Sequence, residues 1–348
     1  MKILINTPCL KLLGGVANHY LGLKNFWTED VSYNTVGRRS RRRFSGWLWW
    51  PYDVVKFVLK LIWMKPDVIV LNPSLGKIAL KRDLMFLRIA YFLRRKVVVF
   101  FHGFNMQEGE KMNHVAFCEQ LNRCAGIFVL AEEFKSALRN WGVTVPIELT
   151  TTKVDDDLLR GVKVSARNNI RNVLFLARIT REKGIFIALS AFLKLQNRFP
   201  ELHLYVVGDG PALGEAKAKC DRDVIHHVHF LGRLSGRNLA KVYEQSDLYL
   251  FPTHTEGMPT SVLEAMAFGL PVVTRPVGGL KDFFENGKMG FLVESLNSED
   301  FAESMDRLCS DTQLMLEISE YNYDYAKNHF MASQVAMSME SLLRTFAS

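Results

Sequence analysis

Along the 348-residue chain, short runs of consecutive apolar and β-branched residues alternate with longer stretches in which apolar residues recur at helical spacing. In the first half the runs are Ile3–Asn6, Val68–Asn72, Val97–Phe101 and Ile127–Leu130. In the second half they are Val173–Ala177, His203–Val207, Val228–Leu231, Leu248–Phe251, Pro271–Thr274 and Gly290–Val293. Runs this continuous suit strands buried on both faces, as in parallel sheets covered by helices. The alternation predicts an α/β chain with doubly wound parallel sheets. There are too many strands for one small sheet, and the pattern restarts near Val173. The stretch between, Thr150–Asn169, is polar and rich in Thr, Asp and Arg. The expected division is therefore two Rossmann-like domains, 1–160 and 161–329, with a last helix over about 330–348 that can pack back on the first.

Composition narrows the class. A hydrophobic share of 48% in a chain of this length supports two cores, and 23% charged residues argues against disorder. The five cysteines (Cys9, Cys118, Cys124, Cys220, Cys309) are odd in number and contain no Cys-x2-Cys pair. A disulfide framework and a structural zinc site are thus not expected, and a cytoplasmic setting is. The start, MKILINTPCL, reads as a strand and not as a signal peptide. No apolar run reaches the roughly 18 to 20 residues needed to span a bilayer. The nearest, Phe44–Met64, is interrupted by Pro51, Asp53, Lys56 and Lys60. The net charge of +8 belongs to the first half: residues 1–160 hold 24 Lys and Arg against 14 Asp and Glu, the remainder 20 against 22.

Ligands of open α/β sheets bind beyond the carboxyl ends of the strands, so the chemistry is sought there. HTEGMPTSVLEAMAFGLPVV, residues 254–273, follows the strand Leu248–Phe251. Pro259 suits the first helical turn, Gly269 the position just past the helix end, and Pro271 blocks continuation. Gly257 lets the backbone come close to a ligand. The loop and helix start, through Met258, Thr260 and Ser261, then form an anion site matched to a diphosphate. Two carboxylates flank it. Glu256 lies in the loop, and Glu264 lies about 7 to 8 Å along the helix at 1.5 Å per residue. Beside an anion site, carboxylates are tolerated where they accept hydrogen bonds from hydroxyls, and a sugar nucleotide has hydroxyls at both ends and charge in the middle. A capping box of Ser261 and Glu264, with Glu256 as a solvated loop residue, is the alternative.

Further motifs follow other strands. Arg178 and Lys183 lie in the loop after Val173–Ala177, placed to neutralise a leaving diphosphate. Gly208 opens a glycine turn in VVGDGP, but Leu213 stands where a dinucleotide fingerprint needs its third glycine. In HFLGRL, the backbone at Arg233 can read a base edge.

Together these residues resemble the retaining glycosyltransferases of family four (glycosyl transferases group 1), which have the B-type fold of two Rossmann-like domains with a cleft between them. The resemblance is dense over residues 170–295 and thin over 1–150. It implies that Glu256 contacts the hydroxyls of a donor sugar, Glu264 holds the ribose, and Arg178 and Lys183 bind the diphosphate. It implies a glycine-rich loop at Gly14-Gly15-Val16-Ala17 and a histidine near the donor sugar at His102, in FFHGFN. Retention of configuration without a metal or cofactor also follows. The implied partners are a UDP- or GDP-hexose donor and a glycan or lipid-linked acceptor, as in bacterial surface polysaccharide synthesis. The family's Asn-Gly segment is replaced here by Thr150-Thr151-Thr152-Lys153. A sugar-nucleotide epimerase and a non-catalytic sugar-nucleotide-binding subunit remain as alternatives.

Two clusters read as structural. Asp155-Asp156-Asp157 contains Asp-x-Asp, a metal-holding pattern elsewhere, but reads better as the acidic first turn of a helix. His226, His227 and His229 lead directly into a strand. In the first half, Arg38, Arg39, Arg41, Arg42 and Arg43 with Trp47, Trp49 and Trp50 pair arginines with interfacial aromatics, ahead of a helical stretch Tyr52–Met64. This predicts peripheral attachment to an anionic membrane on its cytoplasmic face, against the alternative of a core helix preceded by a solvated loop. No nucleic-acid motif is present, and no nucleic-acid partner is expected.

Overall fold

The computed structural model describes residues 1–12, 14–37, 39, 49–75, 77–164, 167 and 169–347. They form two compact units: Met1–Lys153 with Ala332–Ser348, and Val154–Met331.

The first unit is built on a parallel sheet of β1 (Lys2–Thr7), β2 (Asp30–Thr35), β3 (Val68–Leu71), β4 (Lys96–Phe100), β5 (Gly126–Val129) and β6 (Ile147–Leu149), in the order β2-β1-β3-β4-β5-β6. Strands β3 and β5 are buried at every position, as continuous apolar runs require. The two strands that no apolar run predicted, β2 and β6, are the two edges. DVSYNT and IEL carry polar residues because an edge strand is covered less completely. The last helix, Ala332–Ala347, belongs to this unit. Its buried Glu340 accepts hydrogen bonds from the Thr28 and Glu29 backbone amides at 2.7 and 2.9 Å. Its Phe346 ring lies so close to Gly126 that a Cβ there would come within 2.3 Å of it.

The second unit holds a parallel sheet of β7 (Asn172–Leu176), β8 (His203–Val207), β9 (Val228–Gly232), β10 (Leu248–Phe251), β11 (Val272–Thr274) and β12 (Gly290–Leu292). All six coincide with expected runs. The order is β12-β11-β10-β7-β8-β9. The chain therefore lays β7, β8 and β9 in one direction, then crosses back and lays β10, β11 and β12 in the other. The switch point falls between β7 and β10, where crevices open in such sheets.

The break between the units is at 153/154, ahead of the expected 160/161. The segment after it is tied to the second unit at both ends. Val154 N–H donates to Phe330 O at 2.7 Å, and Arg237 donates to Arg160 O at 3.2 Å. The Asp155–Asp157 acids make a short 3-10 turn in which the Asp155 carboxylate caps the Asp157 amide at 3.2 Å, while Asp157 pairs with Arg160.

Candidate active site

Two loops meet at the switch point of the second unit. The first leaves β7 and runs through Arg178 to a 3-10 turn at Arg181–Lys183, ended by Gly184 at φ 80°. The second leaves β10 and runs through Thr253 to Gly257. They are pinned together: His254 N–H donates to Glu182 O at 2.8 Å, and a Cβ on Gly184 would lie 2.0 Å from Pro252 O. Only glycine fits at 184, on grounds of both space and backbone conformation.

This packing brings Lys183 and Glu256 into a direct ion pair, although they are 73 residues apart. Thr253 Oγ1 lies 3.3 Å from the same carboxylate. The pair is partly shielded, with side chains 28% and 17% exposed. The other nearby cation, Arg181, is engaged by Glu215 and by the face of Phe186. Arg178 is exposed and has no ion-pair partner among the described residues.

A third loop supports the first. In the Gly208-Asp209-Gly210 turn, Asp209 O accepts from Ile179 N–H at 3.1 Å, and a Cβ on Gly208 would meet Ala177 O at 1.9 Å. Gly208 is thus required by the approach of one loop to another, a demand set by the tertiary packing and not by the local VVGDGP pattern. Arg233 is exposed and lies 3.7 Å from the Asp209 carboxylate.

The helix after Gly257 spans Thr260–Ala267, with Pro259 as its extended N-cap and not its first helical residue. Ser261 therefore sits inside the helix. Its hydroxyl is 2.7 Å from Tyr249 OH, so the capping box with Glu264 does not form. Glu264 instead accepts from Tyr243 OH at 2.8 Å. Burial, and after it the Glu264 carboxylate, raise the Tyr243 phenol well above its ordinary pKa, so it stays a donor. Burial raises Tyr249 likewise. Gly269 is left-handed at φ 69°, as its place past the helix end requires. Met258 packs on the core.

The structure adds residues that the motifs did not. Tyr243 and Tyr249 position the helix start, and a buried tyrosine on a helix or strand always raises the question of its hydroxyl's partner. Gly278 is a second addition: a Cβ there would lie 2.3 Å from Glu256 O and 2.2 Å from Gly257 O, at φ 51°. The Gly278-Gly279 pair just after β11 was the available signal. Gly279 N–H donates to Gly257 O at 2.8 Å.

In the first unit, His102 follows β4 and Asn72 follows β3. His102 Nε2 is 3.1 Å from Asn72 Oδ1, which also accepts from Tyr20 OH at 2.7 Å. The His102 ring packs on Phe100 at 3.7 Å and edge-on to His19 at 4.8 Å. Burial, then the neighbouring His19, pull the His102 pKa well below its ordinary value, so the ring is neutral. His19 is buried with neither ring nitrogen hydrogen-bonded, and burial, then Lys153, lower it to about 3. Gly14 and Gly15 are exposed, and a Cβ at either would meet nothing within 4 Å. The fold itself does not demand glycine there.

Of the basic segment, Arg38, Arg41, Arg42, Arg43 and Trp47 lie outside the described residues. Arg39 is not free for a headgroup: it pairs with buried Asp53 and stacks over Trp49 at 4.5 Å. Asp53, 1% exposed, needs that cation beside it. Of the histidines, His203 Nδ1 faces His229 Nε2 at 2.9 Å, and no group of three metal-ligating side chains occurs among the described residues.

Residues 163–325 match the family model described as Glycosyl transferases group 1. The matched residues all lie within the second unit, Val154–Met331. An uncharacterized glycosyltransferase of Haemophilus influenzae is 32% identical over 152 residues, 43% of this chain and 42% of that protein. The capsular polysaccharide biosynthesis glycosyltransferase CapM of Staphylococcus aureus is 26% identical over 237 residues, 67% of this chain and 61% of that protein. The chain thus spans less than two thirds of the length of these relatives. Among solved structures, Anabaena Alr3699/HepE in complex with UDP superposes with a TM-score of 0.74 at 19% identity, over 99% of this chain and 100% of that one. That likeness concerns the fold.

Proposed function

We propose that the protein is a glycosyltransferase that takes a hexose from a UDP- or GDP-linked donor and passes it to a glycan or lipid-linked glycan. The observation that carries this reading is the Lys183–Glu256 pair at the switch point, beside the start of helix Thr260–Ala267. A cation for phosphate and a carboxylate for sugar hydroxyls stand together at a helix end whose first amides favour an anion. In this reading Glu264, oriented by Tyr243, takes the ribose hydroxyls. Arg178 is available to neutralise the leaving diphosphate.

In this reading the bond between the sugar's anomeric carbon and the phosphate oxygen breaks, and its electron pair stays with the diphosphate. The acceptor oxygen bonds to that carbon on the same face, and its proton passes to the departing phosphate oxygen. Configuration is retained. The protein contributes positioning and charge stabilisation, with Arg178, Lys183 and the helix start in the role a metal ion has elsewhere. A setting in surface polysaccharide synthesis rests on the name of the CapM relative.

Binding is tested by thermal shift with UDP, GDP and ADP. A ligand at 100 times its Kd adds about 2.7 kcal/mol of stability. No shift with any of them refutes the reading. Incubation with UDP-hexose or GDP-hexose and a lipid-linked glycan then separates the alternatives. Release of the nucleoside diphosphate supports transfer, conversion of the donor without release marks an epimerase, and binding without turnover marks a non-catalytic subunit.

A further inference from the structure

Helix Trp50–Met64 of the first unit turns Asp53, Phe57 and Leu61 inward. The opposite face should carry the charged residues of a surface helix. It carries Tyr52, Val55, Leu59, Ile62 and Trp63 instead, exposed by 55%, 59%, 44%, 50% and 81%. The two lysines, Lys56 and Lys60, sit half-buried at its flanks, and Lys60 donates to Tyr33 O at 2.8 Å. A surface helix whose outer face is apolar is ordinarily covered on that face.

The helix beside it, Lys77–Phe92, ends in a second apolar projection. Tyr91 is 53% and Phe92 85% exposed. A groove lined by Val58, Ile89, Tyr91 and Phe92 joins this end to the first helix, with Arg88 and Arg123 on its walls. Arg88, Arg94, Lys96 and Arg123 are all exposed, and the Arg123 guanidinium lies over Tyr91 at 5.6 Å. Two large aromatic side chains thus project from a collar of cations.

We propose that these two helices form one bilayer-docking surface, with Trp63 and Phe92 entering the headgroup–acyl boundary of an anionic membrane and the surrounding Arg88, Arg94 and Arg123 meeting its phosphates. Charge decides between occupants. The first unit has 24 Lys and Arg against 12 Asp and Glu, so a second copy seated here would oppose one cationic collar to another. An anionic bilayer complements both the collar and the apolar face. No helix among the described residues is long and apolar enough to cross a membrane, which fits a helix lying in the interface plane. The surface differs from the arginine segment singled out in the sequence, and it rests on no assumption about catalysis.

The test is flotation with phosphatidylglycerol/phosphatidylethanolamine vesicles and with phosphatidylcholine vesicles. The wild type is expected to partition at least about tenfold better onto the anionic ones, since each basic side chain near such a surface contributes about fivefold. Trp63→Ser with Phe92→Ser should lower partitioning at least about tenfold at every salt concentration. Arg88→Ser with Arg123→Ser should lower it at low salt, with a difference that fades as salt rises. All four positions are exposed, and circular dichroism confirms that each variant is folded. Absence of vesicle binding by the wild type overturns the proposal. So does binding that is unchanged in the Trp63/Phe92 variant, or a concentration-dependent dimer that this variant abolishes.

Discussion

Replacing Glu256 with Gln should tighten nucleoside diphosphate binding while it slows transfer. Lys183 Nζ is held by the Glu256 carboxylate. A diphosphate that claims the lysine must share it with, or take it from, that carboxylate, and it brings its own negative charge beside it. Two unit charges about 3 Å apart attract by about 5 kcal/mol at an effective dielectric near 20. With side chains 28% and 17% exposed, hydration offsets most of this, and about 1 kcal/mol survives. Glu256→Gln removes the competitor and the repulsion together, so the Kd for UDP or GDP should fall about fivefold. Turnover moves the other way. A charge-assisted hydrogen bond to a sugar hydroxyl contributes about 1.5 to 3 kcal/mol, so its loss should slow transfer roughly 10- to 100-fold.

Calorimetry of the nucleoside diphosphate and initial rates on the donor read these two quantities separately. The cycle Lys183→Ala, Glu256→Gln and the double variant adds a sharper criterion. Once Lys183 is gone, the Glu256 substitution should no longer improve affinity by its full amount, so the two effects should not add. Unchanged or weaker nucleoside diphosphate binding in Glu256→Gln would refute the reasoning, because the carboxylate would then not compete for the lysine.

Other outcomes follow from the same geometry. Gly278→Ala, with a Cβ 2.2 Å from Gly257 O at φ 51°, should cost at least about 1 to 3 kcal/mol or displace the Glu256 loop, read as a lower Tm with weaker donor binding. Turnover should persist in excess EDTA; complete loss restored by Mg²⁺ or Mn²⁺ would return attention to Asp155–Asp157. His19 should make the first unit acid-sensitive. Its folded pKa of about 3 lies below the ordinary value near 6.5, so below that value only the unfolded chain takes up the proton. Stability is then full above about pH 6.5 and declines by about 1.4 kcal/mol per pH unit towards pH 3, with His102 adding to the slope. Denaturant melts of His19→Phe between pH 4 and 7 should show a shallower decline, and an identical decline would exclude His19 as its source.

What the sequence disclosed and what it withheld divide along physical lines. A strand buried on both faces must be apolar throughout, so β3, β5, β10 and β11 were visible as runs, and the second sheet's edge strands β9 and β12 showed only because they are largely apolar as well. An edge strand is under no such demand, and Asp30–Thr35 and Ile147–Leu149 passed unnoticed. Local backbone demands were also visible in part. Gly269 was placed by its helix end, whereas Pro259 was assigned to the first turn and proved to be the cap, because proline's fixed φ serves both positions equally.

The candidate site shows the same division at the level of partners. Glu256 and Glu264 share one segment, so their separation could be read from helical rise. Their partners could not. Lys183 reaches Glu256 only because β7 and β10 are neighbours in the sheet, and Tyr243 reaches Glu264 from the preceding helix. The apolar outer face of Trp50–Met64 is a third instance. In sequence, Tyr52, Val55, Leu59 and Trp63 look like ordinary core positions, since apolar residues lie on both faces of the helix and do not tell which one is turned inward. Asp53 decides it. A carboxylate with 1% exposure must face inward to meet its arginine, and Phe57 and Leu61, four and eight residues on, go with it. The residues left outside are then the ones that a surface helix would have made polar, and their apolar character calls for a partner in the way an unpaired buried charge does.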